Sequence, residues 1–323
     1  MSEANRRKKL HILLCSHNGG KYIYAQLKSF CDQKRQIDSV HIYDFGSKDN
    51  TRDEILRAIE TLTAGTGPIF HLNYIAHAPG VTQSFFLALR DLVGKLNTCD
   101  LVFISDQDDV WMDIKTEVMV DVFEKSEKKG VPTLVHHDVL VVDECLNQIA
   151  DSYYNKRQLA LLLNNPSPLN KHFGLVIGHT MLLDYEAVKI IASLEYDERI
   201  LMYDWYWGCI ISEVGDIKFV NQKLSKYRQH DNNILGARSG SGTNSAGFID
   251  FVKYTRAVAN QLVLCCHTIS RLSSKKINKR HTSFREYVFL VKNIRSIKIL
   301  ALRALVDLQT LLIMRRRKRR DIR

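Results

Sequence analysis

The chain has 323 residues, an apolar fraction of 45% and a formal net charge of +11. These values suit one large or two modest packed domains and exclude a fibrous or wholly disordered chain. The seven cysteines are odd in number, scattered and never spaced as CxxC, which excludes a disulfide framework or zinc finger and predicts reduced, mostly buried thiols.

From the N-terminus, Met1 to Lys9 is charged and leads into only about six apolar residues, too few for a signal-peptide core or a membrane span. A cytoplasmic protein is therefore expected. Strands are predicted at Leu10–Cys15, Ser39–Asp44, Ile69–Tyr74, Asp100–Ser105 and Thr133–Val142, all rich in β-branched or aromatic residues. Helical patterns lie between them. Ile23, Leu27 and Phe30 recur at helical spacing, and Thr51 with Glu54 reads as a capping box ahead of Ile55, Leu56, Ile59 and Leu62. Further helices are predicted over Thr82–Leu96 and Ile114–Lys125. This β-α-β alternation implies an α/β fold, a mainly parallel sheet flanked by helices, with ligands bound beyond the carboxyl ends of the strands.

After residue 150 the pattern loosens. An aliphatic run at Leu159–Leu163 precedes the breaker-rich Asn164–Pro168, and Gly178–Asp184 resumes an apolar pattern. A Gly/Ser-rich stretch over 234–247 reads as a linker. It separates a domain over 1–233 from a basic helical tail over 248–323. Charge divides at nearly the same place: residues 247–323 carry 19 Lys and Arg against 4 Asp and Glu, while residues 1–246 carry 27 against 31. The basic balance is a property of the tail alone.

Three carboxylates in four residues, Asp106, Asp108 and Asp109, follow the apolar run Leu101–Ile104. Their mutual repulsion calls for a cation or solvent, and oxygen ligands suit Mg²⁺ or Mn²⁺. A metal there could hold a leaving diphosphate; a solvated loop capping the next helix is the other reading. An EF-hand is excluded, because Val110 and Trp111 stand where such a loop needs a ligand and glycine.

Seven segments in order resemble the family 2 glycosyltransferases, particularly the rhamnosyltransferase-like bacterial members. They are Leu13–Gly19, Asp44–Thr51, Phe103–Trp111, His137–Asp138, Gly178–Leu182, Tyr203–Trp205 and Tyr227–Asn233. The resemblance implies a GT-A fold. It further implies that Asp106 and Asp108 hold the donor's ribose and a divalent metal (Mg²⁺ or Mn²⁺) respectively, with Asp109 in support. Asp204 corresponds to the general base of an inverting transfer from a nucleotide diphosphate sugar, dTDP-rhamnose or a UDP-sugar, to a saccharide or lipid-linked acceptor in bacterial surface polysaccharide synthesis. His230 is expected on the metal or diphosphate, Ser16, Asn18 and Asp44 on the nucleoside, and His179 and Trp205 in the acceptor or sugar pocket. Gly19 and Gly46 are expected to serve turns. Phe45 stands where the family usually has a second acid, leaving base recognition to Asp44 alone or to stacking on Phe45.

The tail interleaves Tyr287, Leu290, Val291, Ile294 and Ile297 with Lys292, Arg295 and Lys298, and ends in the run Arg315–Arg320. Basic amphipathic helices of this kind suit an anionic membrane surface, at about 1 kcal/mol per basic group near the headgroups, and place the protein peripherally on the inner face of the cell membrane. Packing on the domain is the alternative. No nucleic-acid partner is expected, since no aromatic-interleaved platform or recognition helix accompanies the charge. Two further function classes stand beside sugar transfer: a nucleotidyltransferase, for which Ser16–Lys21 is a poor phosphate loop, and a non-catalytic sugar-nucleotide-binding scaffold.

Overall fold

A computed structural model describes residues 7–62, 67–156 and 175–231 together with helical positions between 254 and 272. Its first half runs β1 (Leu10–Ser16), α1 (Ile23–Cys31), β2 (Ser39–Phe45), α2 (Thr51–Leu62), β3 (Ile69–Ile75), α3 (Val81–Val93) and β4 (Leu101–Ser105). The second half adds β5 (Val110–Trp111), α4 (Lys115–Ser126), β6 (Thr133–Val142), β7 (Gln148–Ala150), α5 (Tyr153–Lys156), a 3₁₀ turn at Gly178–Thr180, β8 (Leu182–Asp184), α6 (Tyr185–Ala192), α7 (Tyr203–Val214) and β9 (Asp216–Arg228). The run Leu159–Leu163, the linker over 234–247 and the tail beyond 272 lie outside the described residues.

The strands form one sheet in the order β3-β2-β1-β4-β8-β6-β9-β5, with β7 against β6. From β3 to β4 every pairing is parallel, as the βαβ alternation predicts. Beyond β4 the sheet is mixed: β8 runs antiparallel to both β4 and β6, and β9 parallel to β6. The three-residue β8 follows directly from the 3₁₀ turn rather than from a crossover helix, so nothing enforces the parallel sense there.

Central β1, β2 and β4 are buried on both faces, which explains their near-continuous apolar runs, whereas edge strand β3 exposes Ile69 and Tyr74. Side-chain alternation splits the core in two. Leu13, Tyr43, Phe45, Val102 and Ile104 face α3, α6 and α7, and Ile12, Leu14, Val40, Ile42 and Phe103 face α1, α2 and α4. Residues assigned by composition to the tail join the first of these layers. Cys265 is fully buried in it, Thr268 shares a 2.7 Å hydrogen bond with the Tyr206 hydroxyl, and the Gln261 carboxamide oxygen accepts from Leu201 N–H at 2.7 Å and Met202 N–H at 3.1 Å, just ahead of α7.

Two local expectations are corrected. Thr51 lies inside α2 and does not cap it: the Asp49 carboxylate accepts the Thr51 N–H at 3.0 Å and the Thr51 hydroxyl as well, while Glu54 is bound to Arg57. Helix α3 stops at Val93 rather than Leu96, with Gly94 as its C-cap.

Candidate active site

The carboxyl ends of β1, β2 and β4 open into a cleft of about 620 Å³. Of the ten residues expected in the site, Ser16, Asn18, Asp106, Asp108, Asp204 and His230 line it. Asp44, Asp109, His179 and Trp205 do not. Asp44 is buried under the rim, accepting from the Ser16 hydroxyl at 3.0 Å and from Ser47, with Arg52 at 3.8 Å. It thus supports the loop that carries Ser16. Trp205 is half-buried on α7, turned by the helical rotation away from its neighbours Tyr203 and Asp204, which do face the cleft.

The loop after β1 is fastened by side chains from two other loops. Gln107 accepts from His17 N–H at 2.8 Å and donates to its carbonyl at 3.0 Å, tying the β1 loop to the Asp106–Asp109 segment. Gly19 is required for this clasp, since a Cβ would overlap the Gln107 carboxamide; it does not serve a left-handed turn, whereas Gly46, at φ 62°, does. The N–H groups of Gly19 and Gly20 donate to Thr51 and Asp49 at 2.8 and 3.1 Å. With the Asn18 N–H donating to the Ser47 hydroxyl at 2.9 Å, four consecutive amides from His17 to Gly20 are committed within the protein, which leaves Ser16–Lys21 without the free N–H cradle of a triphosphate loop.

The three clustered carboxylates have separate environments. Asp108 faces the cleft and meets His230 Nε2 at 2.9 Å, and Tyr22 stacks on that imidazole with ring centroids 4.9 Å apart. Asp109 is buried beneath, accepting Arg228 N–H at 3.0 Å and lying 2.9 Å from His179 Nδ1 without completing an aligned hydrogen bond. Arg228 also donates from Nε to the Asp108 carbonyl at 2.8 Å and from its guanidinium to the Glu144 carbonyl. Asp106 sits between these layers, 3.7 Å from His179. Burial opposes a charge on His179, but the Asp109 and Asp106 carboxylates outweigh it and push the imidazole up to about 9.

Two donor sets could thus hold a divalent cation: Asp108 with His230, and Asp106, Asp109 and His179, whose ligand atoms lie within 4.8 Å of one another. Only the first is open to a ligand at both residues. In the second, Asp109 and His179 are buried behind the cleft wall and only Asp106 lines the cleft. Beneath them the fully buried Lys115 donates to the His179 carbonyl at 2.7 Å and packs on Trp111 at 3.5 Å, its ammonium disfavoured by burial so that its basicity falls well below normal.

Asp204 stands in the first turn of α7, its Oδ2 accepting Gly178 N–H at 2.9 Å and its Oδ1 accepting Trp205 N–H at 2.8 Å. Burial raises its pKa to about 7, and the Asp106 charge pushes the same way, against the two hydrogen bonds. A carboxyl poised at that value can exchange a proton near neutral pH.

Residues 11–167 match the model of Glycosyl transferase family 2. These residues form a family 2 glycosyltransferase domain. Over 287 residues the chain is 26% identical to an uncharacterized glycosyltransferase of Nostoc sp., covering 85% of this chain and 82% of that protein. It is 24% identical to the dTDP-rhamnosyl transferase RfbG of Shigella flexneri over 69% of this chain and 74% of that protein. Among solved structures it resembles the mannosyltransferase PcManGT of Pyrobaculum calidifontis, in complex with GDP-Man and Mn²⁺, with a TM-score of 0.55 at 10% identity over 95% of this chain and 87% of the other. The fold is GT-A. The acid cluster after β4 lies within the matched segment and the buried Asp204 outside it, and the two share one cleft. Sequence reasoning missed Gln107, Lys115, Tyr203, Arg228 and Gln261 as parts of this machinery. Gln107, Tyr203 and Arg228 fall inside the quoted motifs without a role being assigned to them, and Lys115 left a different trace, a charged residue in helical register with the buried Met119 and Phe123.

Proposed function

We propose that this protein transfers a sugar, with inversion, from a nucleoside-diphosphate sugar to a hydroxyl of a saccharide or lipid-linked saccharide acceptor. The observation that carries the reading is the pairing of two chemistries in one cleft: the partly buried Asp108–His230 pair that lines it, and the buried Asp204 poised at about 7.

In this reading Asp108 and His230 would hold a Mg²⁺ or Mn²⁺ ion, which would supply positive charge to stabilise the leaving diphosphate. Ser16, Asn18 and Asp106 hold the nucleoside portion, with Asp44 and Asp109 fixing the loops that carry them. Phe45 borders the cleft but is 1% exposed and packed in the core, so base recognition falls to the polar groups of the loops around it. Asp204 uses its remaining lone pairs to take the proton of the acceptor hydroxyl. The acceptor oxygen bonds to the anomeric carbon while the bond from that carbon to the phosphate oxygen breaks, its electron pair leaving with the nucleoside diphosphate. The Asp109–His179 ion pair and Lys115 act behind the wall, setting the position of the acid loop.

The donor is dTDP-rhamnose or a UDP-sugar, the first of these supported by the likeness to the Shigella dTDP-rhamnosyl transferase, and the product belongs to bacterial surface polysaccharide synthesis. No helix among the described residues is long and apolar enough to cross a membrane. The basic tail beyond residue 272 supplies attraction to the anionic inner surface of the membrane, where a lipid-linked acceptor resides.

The test is hydrolysis and transfer by purified protein with UDP-, dTDP- and GDP-sugars in Mg²⁺ or Mn²⁺. Activity must vanish with EDTA and fall at least about 100-fold in Asp204→Asn, in line with the contribution of a general base. Activity that survives chelation, or a fully active Asp204→Asn, refutes the assignment of metal or base.

A further inference from the structure

Tyr203 opens α7 beside Asp204, lines the cleft and is 1% exposed. Its hydroxyl is buried and has no hydrogen-bond partner among the described residues. An unpaired buried hydroxyl forfeits the hydrogen bond it makes to water in the unfolded chain, so such a group in a site calls for a partner from outside the described residues.

Its position is fixed. The ring stacks on Phe85 with centroids 4.0 Å apart and meets Trp207 edge-on at 4.9 Å, so it cannot swing to find a partner elsewhere. Opposite the hydroxyl lies Gly178, where a Cβ would overlap the phenol oxygen. The absence of a side chain at Gly178 keeps that space for the hydroxyl, while the Gly178 N–H holds Asp204.

The surroundings also select the ligand chemistry. Burial and then the Asp106, Asp204 and Cys15 charges raise the phenol well above its ordinary value, so it stays protonated and acts as a donor. Those carboxylates repel an anionic group such as phosphate. A neutral oxygen acceptor fits.

We infer that the Tyr203 hydroxyl donates a hydrogen bond to a hydroxyl of the donor sugar, making Tyr203 a residue that selects which sugar the enzyme transfers. This rests on the reading of the cleft as a nucleotide-sugar site, and deepens it. The interaction lies on the sugar and not on the nucleotide, so the two halves of the donor separate its effects.

The experiment uses the full-length chain and Tyr203→Phe, which removes one oxygen and keeps both ring contacts. Hydrolysis with Mn²⁺ and no acceptor is measured for UDP-glucose, UDP-N-acetylglucosamine, dTDP-rhamnose and GDP-mannose, and then for the monodeoxy analogues of the fastest substrate. For that substrate, Tyr203→Phe is expected to lower kcat/KM roughly three- to tenfold, the worth of one hydrogen bond, with the affinity for UDP or dTDP alone unchanged. One monodeoxy analogue should be hydrolysed equally by wild type and variant. Equal kcat/KM on every parent donor, or a loss that persists with every deoxy analogue, overturns the inference. A wild-type protein that hydrolyses none of the four instead refutes the proposed function.

Discussion

Replacing Asp204 with asparagine tests the physics of the site apart from its chemistry. In the wild type the carboxyl titrates at about 7, against an ordinary value of 3.8 in the unfolded chain. Between those two values the native state holds a proton that the unfolded state has released. Stability therefore falls as pH rises through the window, by about 1.4 kcal/mol per unit and roughly 4 kcal/mol in all. Asparagine carries no such penalty, but its amide can accept only one of the two N–H donors from Gly178 and Trp205, and the mismatch costs about 1–3 kcal/mol at every pH. The variant should thus be less stable than wild type, or near it, at pH 4.5 and more stable at pH 8. The difference should shift by about 3 kcal/mol in its favour, on the order of 5–10 °C in Tm. Urea titration and thermal melts in EDTA at pH 4.5, 6 and 8 measure it. A difference that does not change with pH refutes the burial argument, whatever the variant's activity. Wild-type activity should independently rise with pH along a limb centred near 7, because the base acts only when ionised.

Other expectations follow from neighbouring contacts. Asp108→Ala and His230→Ala should each weaken Mn²⁺ binding at least about tenfold by calorimetry, whereas His179→Gln should affect it less; the reverse order would move the metal to the buried cluster. Lys115→Met keeps the packing on Trp111 but leaves the His179 carbonyl unpaired, and should cost about 1–3 kcal/mol in urea unfolding. Gln261→Ala removes the acceptor for Leu201 and Met202 N–H ahead of α7, so kcat should drop several-fold; truncation after residue 272, which retains Gln261, should leave donor hydrolysis intact and abolish sedimentation with anionic liposomes.

Much of the fold was legible because burial leaves a linear trace. Strands covered on both faces must be apolar throughout, so β1, β2 and β4 stood out, and α1 to α4 carried a helical stripe. The 13-residue β9 left no such trace: Lys218, Lys223 and Lys226 interrupt its apolar positions, and its pairing with β6 shifts register twice. Thr51 and Glu54 had the spacing of a capping box, but Asp49 stood close enough to take the role.

For the site, the linear pattern shows the residue types and their order: a cluster of carboxylates released at the end of a buried strand, and a further acid, Asp204, among aromatic residues downstream. Only the tertiary structure sorted them. Asp108 and Asp109 are adjacent in sequence, yet one faces the cleft beside His230 and the other lies buried against His179. His179 was expected among sugar contacts and lies fully buried behind the cleft wall, 2.9 Å from Asp109. Such distinctions depend on which distant segments meet and how much water remains between them. Desolvation and Coulomb energies follow those distances, and sequence order does not encode them. The same holds for Asp204, whose raised pKa comes from burial beneath segments that close over it only in the folded chain.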